Sequence, residues 1–146
     1  MVKKKKQIIG CREQIDFPDI KLYGITAKVD TGAYIMALHC HDIRVEKRNG
    51  KNTLCFKLLH PSHPEYNEQE NYFTDFEERE IKNSFGVQEK RFVIKSSVVI
   101  AGRRIKSLIS LTDRRNMRYP VLIGRRLLKG RFIVDVSKEN LWNSRS

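Results

Sequence analysis

Short apolar stretches separated by turn-forming residues run along most of the chain from residue 8 onward. Because no stretch keeps a 3.6-residue hydrophobic period over 15 positions, the pattern favours strands over long helices. The predicted strands are residues 20–29 with a turn at Tyr23-Gly24, then 38–45, 53–59, 91–100, 104–111, 120–123 and 132–136. Residues 125–129 predict one short helix closed by Gly130. The pattern therefore predicts an all-β fold with one short C-terminal helix.

Two connections between these strands are predicted to be tight hairpin turns. Asn49-Gly50 suits the positive φ angles of such a turn, and residues 101–103 join two apolar stretches. Residues 60–80 hold two of the four prolines and an acidic cluster, which predicts a long exposed loop or flap-like excursion. We expect residues 1–7, rich in lysine, to form a flexible basic arm ahead of one domain at 8–146, with the acidic insert at 61–80.

Composition places the chain among single globular domains. Its 146 residues, 40% of them hydrophobic, are enough for one domain with a real core. Apolar runs are too short for a membrane span or a secretory signal, so we expect a cytoplasmic protein without membrane contact. The three cysteines have no CxxC spacing, which predicts free thiols.

The formal net charge is +12, and it is unevenly distributed. Residues 1–60 carry +6, residues 61–80 carry −6 and residues 81–146 carry +12. A field of this sign attracts polyanions such as nucleic acid, acidic lipid or an acidic peptide. Charge by itself does not choose among these partners.

The residues with the clearest chemistry are 27–33, Ala-Lys-Val-Asp-Thr-Gly-Ala, in which a predicted strand runs into Asp30-Thr31-Gly32. In aspartic peptidases such a strand delivers a carboxylate to a cleft, the threonine ties the loop to its symmetry mate, and the glycine lets backbone approach the carboxylate. Two carboxylates that share one proton can activate a water molecule. The tripeptide alone is a weak signal, because any turn can contain it.

A second block strengthens this interpretation. About ninety residues later, residues 119–128 read Tyr-Pro-Val-Leu-Ile-Gly-Arg-Arg-Leu-Leu and follow a predicted hairpin. This order resembles the retroviral-type aspartic peptidases (retropepsins), in which the Asp-Thr-Gly-Ala loop is followed by a flap, a strand pair, two apolar residues, Gly, Arg and a short helix. The resemblance implies a closed β-barrel in which the apolar-apolar-Gly element crosses beneath the catalytic loop and Gly124 lies where the chains touch. The alternative is a chance turn followed by an ordinary helix start.

Further blocks narrow the resemblance to one bacterial family. They are residues 10–13, 27–33, 37–39, 111–114, 117–125 and 134–135. Together they resemble the RimK-associated group, often labelled ATP-dependent zinc proteases and related to the RimB peptidase. The resemblance implies catalytic roles for Asp30, Thr31 and Gly32 and a link to RimK, an ATP-grasp ligase that adds glutamates to a ribosomal protein. It further implies a peptidase that trims such α-glutamate chains.

The chain departs from the family pattern in three places, one of which is the family's Ser-Ser-x-Gly stretch, present here only as Asn-Ser-Phe-Gly at residues 83–86. Cys11 stands where the family usually has Trp, and Tyr34 stands where Arg or a similar residue follows Ala33. Retropepsins carry an acidic residue two places after the glycine, which pairs with the Gly-Arg arginine. Since that place is Tyr34 here, Arg125 lacks the usual partner.

The position of Lys28 relative to Asp30 along the predicted strand suggests the charge of the substrate. Residues two apart share a face of a strand, so we expect Lys28 to point toward the same cleft as Asp30 and to bind a carboxylate. The alternative is that Lys28 extends into solvent or pairs with Glu13 or Asp113. We predict that the substrate is an acidic peptide, with polyglutamate the natural candidate. The residues predicted to contact it are the loop residue Ala33 and four basic residues, Lys28, Arg114, Arg118 and Arg125.

A single Asp-Thr-Gly in 146 residues means that a two-carboxylate site requires a homodimer. The flap is predicted in residues 61–80 or 81–88. Because an acidic flap would repel an acidic peptide, we expect the insert to face away or to meet a basic neighbour.

Four histidines, at positions 39, 41, 60 and 63, have no spacing that supplies three convergent zinc ligands, so we predict no metal. The sequence contains no phosphate-binding Gly-x-x-x-x-Gly-Lys loop, and we predict no ATP use and no cofactor.

Two other functions fit the same composition. One is a basic β-module that binds nucleic acid, which the charge favours but the scattered aromatic residues do not. The other is a catalytically idle retropepsin-like domain that docks on RimK or on the ribosome.

Overall fold

The computed structural model describes residues 5–59, 63, 66, 68–83, 85–113 and 118–142. Strands dominate this part of the chain, and the predicted all-β fold with one short helix near its C-terminal end is confirmed. The strands are Gln7–Gly10 (β1), Arg12–Phe17 (β2), Leu22–Val29 (β3), Met36–Arg48 (β4), Lys51–Leu58 (β5), Glu70–Phe73 (β6), Glu77–Lys82 (β7), Gln88–Ile100 (β8), Arg103–Thr112 (β9), Val121–Ile123 (β10) and Phe132–Asp135 (β11). A 3₁₀ turn covers Pro18–Ile20, and the helix α1 covers Arg125–Leu128. None of the described helices has the length and apolar character to cross a membrane.

Six strands close into a ring in the order β3, β2, β8, β9, β4 and β10. The ring closes at β10, which pairs in parallel with β3 and antiparallel with β4. Strands β5 and β6 extend the sheet beyond β4, β7 pairs with β8, and β1 forms a separate parallel pair with β11. The ring encloses the core, whose largest fully buried side chains include Phe17, Leu38, Ile94 and Ile109. The short strand β10 is thus wedged between the two strands that flank the Asp-Thr-Gly loop.

Both predicted hairpin turns are confirmed. Asn49 and Gly50 have φ angles of 51° and 78°, and Ala101 and Gly102 have 52° and 72°. The turn predicted at Tyr23-Gly24 is wrong, because β3 continues through it as one strand. Gly24 has a φ of 64°, and its N–H donates to the Asp16 carboxylate at 2.7 Å, so this glycine bends the strand without ending it.

The acidic segment is more ordered than the sequence predicts. Among its described residues, β6 pairs with β5 and β7 begins at Glu77, so the prediction of a continuous loop is wrong there. Its acidic side chains are tolerated in strands because cations lie beside them, as at Glu70, whose carboxylate is 2.6 Å from Arg44. Phe73 also stacks on Phe56, with ring centroids 5.8 Å apart. Residues 60–62, 64, 65 and 67 lie outside the described part of the chain.

A buried carboxylate joins β2 to the segment after β11. Glu13 is fully buried and accepts hydrogen bonds from the backbone N–H groups of Gly10, Leu141 and Trp142 at 2.8, 3.1 and 3.0 Å. The Trp142 indole N–H in turn donates to the Ile8 carbonyl at 2.8 Å. Since a buried charged group is stable only when its hydrogen bonds are satisfied, these backbone donors make Glu13 a structural anchor.

We expect the substitution Glu13→Ala to lower the free energy of unfolding by about 3 kcal/mol, because it leaves three backbone donors without their acceptor. Urea unfolding followed by circular dichroism measures this loss. The matched control is Glu78→Ala, an exposed carboxylate on β7, which should change stability by less than about 0.5 kcal/mol. Equal losses in the two variants would contradict the anchoring role.

Candidate active site

Asp30 follows the last residue of β3 and is held there by backbone hydrogen bonds. Its N–H donates to the Ile123 carbonyl of β10 at 2.9 Å, and its own carbonyl accepts the Ala33 N–H at 3.2 Å. The Gly32 N–H donates to the Asp30 carboxylate at 3.0 Å. The half-buried carboxylate is therefore fixed in a tight turn at the end of a ring strand, with a backbone dipole directed at its negative charge.

Strand β10 lies against this turn and bonds to the strands on both sides of it. It aligns Val121 with Ala27 of β3 and with Leu38 of β4, so the loop that joins β3 to β4 must pass over its end. Gly124 lies at the crossing, where a Cβ atom would come within 2.5 Å of the Tyr34 carbonyl oxygen. The contact that the family resemblance implies at Gly124 is therefore present, and only a residue without a side chain fits.

The start of α1 is capped by the same loop. The N–H groups of Arg125 and Arg126 donate to the carbonyls of Ala33 and Tyr34, each at 2.9 Å. These bonds satisfy donors that a helix leaves unpaired at its first turn. Ala33 thus contributes its backbone to the site's architecture, and the loop and the helix form one rigid unit.

The Arg125 side chain has found a different partner from the one that retropepsins use. Its guanidinium donates to the Thr31 carbonyl at 2.7 Å and lies 5.7 Å from the centre of the Tyr34 ring. A cation–π contact therefore occupies the place of the expected ion pair. The departure at Tyr34 leaves Arg125 attached to the Asp-Thr-Gly loop.

A cavity of about 370 Å³ opens between this loop and the β7–β8 hairpin. Gly32, Tyr34 and Arg125 line one side, and hairpin residues 79–83 with Gly86 line the other. Of the two predicted flap locations, residues 81–88 are thus the ones with their turn beside the site. One of the acidic residues before the turn forms an ion pair within the insert, since Glu77 is 2.5 Å from Arg79, whereas Glu80 lines the cavity.

A chain of polar contacts holds this hairpin in position. The Asn83 side-chain amide donates to Glu89 at 2.8 Å, and Glu89 accepts from the guanidinium of the buried Arg91 at 3.0 Å. Arg91 also contacts the Ser110 hydroxyl at 3.4 Å, which donates to the Met36 carbonyl at 3.0 Å. The turn beside the cavity is therefore linked through β8 and β9 to the first residue of β4.

A second feature lies at the preceding residues of β3. The register pairs Lys28 with Arg12 of β2, and three cationic groups surround the ring of Tyr119. Lys28 Nζ and the guanidinium carbons of Arg12 and Arg118 lie 5.8, 5.8 and 5.6 Å from the ring centre. Arg12 also donates to the Tyr119 hydroxyl at 3.1 Å. Sequence reasoning missed Arg12 and Tyr119, because only the strand register brings them to Lys28.

These three cations differ in their ion pairs. Arg12 is bound to Glu139, and the hydrogen bonds to Glu139 and then to Tyr119 raise the pKa of Arg12. Within the described residues, neither Lys28 nor Arg118 forms an ion pair, so the predicted alternative of pairing with Glu13 or Asp113 is not observed. Arg114, also predicted at the site, lies outside the described part of the chain.

An apolar surface adjoins Thr31 on the other side of α1. It encloses about 500 Å³ and is lined mainly by Tyr34, Leu128, Phe132 and Val134. The Tyr34 side chain is 56% exposed, which is high for an aromatic ring.

Cys11 and His39 adjoin these features through their backbones: the Cys11 carbonyl accepts the Val29 N–H at 2.9 Å, and the His39 N–H donates to the Pro120 carbonyl at 2.8 Å. His41 Nδ1 is 2.6 Å from the Leu59 carbonyl oxygen, and the three cysteines are free, with burial raising the pKa of the Cys40 thiol. Across the residues that the structure describes, no three His, Cys, Asp or Glu side chains are grouped to hold a metal ion. His60 lies outside this part of the chain.

Comparisons with known proteins cover nearly the whole chain. Residues 8–144 match the family described as RimB-like, retropepsin-like aspartic endopeptidase RimB. Proteins named probable alpha-L-glutamate ligase from Shewanella pealeana and Parasynechococcus marenigrum are 35% and 30% identical over 139 and 135 residues. The match covers 91% and 90% of this chain but 29% and 28% of those proteins, so the chain spans less than a third of their length.

One solved structure has the same fold. A Legionella pneumophila protein of unknown function superimposes with a TM-score of 0.67 at 24% identity, covering 94% of this chain and 98% of that one.

We expect Gly124→Ala to destabilise the protein by about 3 kcal/mol, because its Cβ would collide with the Tyr34 carbonyl and force the loop and β10 apart. The control is Gly50→Ala, where space is open and only a φ of 78° opposes the side chain, at a cost of about 1 kcal/mol. Urea unfolding compares the two. A loss at Gly124 no larger than at Gly50 would show that the crossing tolerates a side chain.

Proposed function

The chain belongs to the RimB-like family of retropepsin-like aspartic endopeptidases, and from this membership we propose that it is an aspartic peptidase that hydrolyses acidic peptides. The observation that carries the proposal is the Asp30 carboxylate, fixed at a strand end by the Gly32 N–H in a loop supported by Gly124. The substrate class that we propose is the α-linked glutamate chain.

The chemistry requires two carboxylates that face each other. In our proposal each of two copies supplies one Asp30, and the pair shares one proton because two adjacent negative charges repel. The ionised carboxylate takes a proton from water, which attacks the peptide carbonyl carbon. The protonated carboxyl gives its proton to the carbonyl oxygen, which yields a gem-diol. The C–N bond then breaks while the nitrogen takes the proton that came from water, and one diol hydroxyl returns a proton to the other carboxylate.

The surface beside Thr31 supports a dimer of this kind. A 500 Å³ concavity lined by Leu128, Phe132 and Val134 is mostly apolar and lies next to the loop that carries Asp30. The exposed Tyr34 ring at the edge of this concavity adds apolar surface that a partner can cover. We propose that a second copy of the chain covers it, which would bring the two Asp-Thr-Gly loops together.

The chain's net charge and its similarity to the named relatives both support an acidic substrate. The net charge is +12, and Lys28 near the end of β3 stands two residues before Asp30. The relatives named probable alpha-L-glutamate ligase share this stretch as less than a third of their length. We infer a functional link to RimK-type ligation, in which this domain hydrolyses glutamate chains that such a ligase adds to a protein such as a ribosomal protein.

We expect Asp30→Asn to lower the rate of glutamate release from α-linked oligoglutamate at least 100-fold, on the order expected for removing a group that transfers protons. Chromatography of the released amino acid measures the rate, and circular dichroism verifies the fold. The control Asp75→Asn changes an exposed carboxylate outside the loop and should keep the wild-type rate. Wild-type hydrolysis by Asp30→Asn would refute the aspartic mechanism, and binding of RNA without any hydrolysis would favour a non-catalytic domain.

Mixing experiments test whether the site is shared between copies. If Asp30→Asn chains exchange freely with wild-type chains at equal concentration, half of the wild-type chains pair with an inactive partner. Activity per wild-type chain should then fall to about one half, and to about one tenth at a ninefold excess. A monomeric enzyme would keep its full activity per wild-type chain at every ratio.

A further inference from the structure

We propose that Lys28 and Arg118, arranged around the ring of Tyr119, form the subsite that holds a side-chain carboxylate of the substrate, an inference that rests on the proposed function. The Arg12–Glu139 pair is then a positioning element that fixes the Tyr119 ring. Nothing in the family resemblance assigns Arg12, Tyr119 or Glu139 to such a site.

The first argument is electrostatic. Lys28 Nζ and the Arg118 guanidinium each lie within 6 Å of one ring centre, so less than about 12 Å separates them. Both charges add positive potential around the same ring, and the ring face offsets only part of it. Both side chains are exposed and, among the described residues, neither has a carboxylate partner. An added anion would therefore be attracted to this cluster.

The second argument concerns the third cation. Arg12 is neutralised by Glu139 and donates to the Tyr119 hydroxyl at 3.1 Å. The segment that carries Glu139 is tied to β2 by bonds from Cys11 N to the Lys138 carbonyl and from Asn140 N to the Arg12 carbonyl, both 2.8 Å. The Tyr119 ring is thus held from the β2 side, and the two unpaired cations remain for a ligand.

The third argument is the location. Lys28 is the second-last residue of β3 and Asp30 directly follows the strand, a separation of about 6.5 Å between Cα atoms if the chain stays extended. That is the length of about two residues of extended peptide. A carboxylate bound at Lys28 and Arg118 therefore belongs to a substrate residue at or next to the bond that is hydrolysed at Asp30, and its charge decides which bonds are cleaved.

The ring itself argues for an acidic peptide over nucleic acid. Proteins that bind single strands stack bases on exposed aromatic faces. Tyr119 is only half-exposed, and cations lie over it, so its faces are not open to a base. A compact group of cations suits the small, localised charge of a carboxylate.

The test compares α-linked oligoglutamate with oligoglutamine of the same length, which has the same shape without the charge. We expect Lys28→Gln and Arg118→Gln each to lower the ratio of kcat/KM for the two peptides about 10-fold, and the double variant about 100-fold. The matched control is Arg48→Gln. Arg48 is the last residue of β4, and its guanidinium lies 4.2 Å from the centre of the Tyr72 ring on β6, which is also a cation–π contact. The ratio for this variant should equal that of the wild type.

Binding to the Asp30→Asn protein separates this inference from the proposed function. By calorimetry, tetraglutamate should bind Asp30→Asn and lose at least 10-fold in affinity when Lys28→Gln and Arg118→Gln are added. If Asp30→Asn still hydrolyses the peptide, the proposed mechanism fails while this binding result stands. An unchanged tetraglutamate affinity in the folded triple variant, or a loss confined to binding of single-stranded RNA, would overturn the subsite.

Discussion

The backbone contact between Gly124 and the loop after β3 holds the candidate active site together. The Ile123 carbonyl accepts the Asp30 N–H, and the N–H groups of Arg125 and Arg126 donate to Ala33 and Tyr34, so the loop is bonded to β10 at its start and to α1 near its end. The approach is so close that a Cβ at Gly124 would be 2.5 Å from the Tyr34 oxygen. A three-residue strand can do this because it completes a ring and cannot shift without breaking pairings on both sides. The position of Asp30 is therefore a consequence of the ring's closure.

The net charge does not show how positive and negative side chains are distributed over the fold. Two acidic residues of the insert form ion pairs within the sheet, Glu70 with Arg44 and Glu77 with Arg79. Exposed pairs of this kind add little stability, but the Glu77–Arg79 pair offsets one negative charge on the hairpin beside the cavity. The basic groups around Tyr119 are compensated only in part. Part of the excess positive charge, that of Lys28 and Arg118, therefore lies near the end of β3, which Asp30 directly follows.

Much of the fold could be predicted because its signals are local. Apolar runs bounded by Gly and Asn located the β8–β9 and β4–β5 hairpins, and the order of the Asp-Thr-Gly and Gly-Arg blocks predicted their contact. Long-range pairings could not be predicted in this way. Strand β6 forms because Phe73 stacks on Phe56 and Glu70 meets Arg44, residues distant in sequence. The partners of Arg125 and Lys28 likewise depend on the loop path and the strand register.

The alternation of side chains along β2 and β3 places buried residues on one face of the pair and the cations Arg12 and Lys28 on the other. Glu13 and Ala27 are paired and buried, whereas their neighbours Arg12 and Lys28 are paired on the opposite face. A carboxylate and two cations thus occupy adjacent positions without forming an ion pair between Lys28 and Glu13, because strand geometry turns them apart. Had Glu13 faced outward, it would have neutralised Lys28 and left the segment after β11 unanchored. The alternation of Arg12 and Glu13 along β2 therefore anchors the segment after β11 through Glu13 and leaves the charge of Lys28 unneutralised by Glu13.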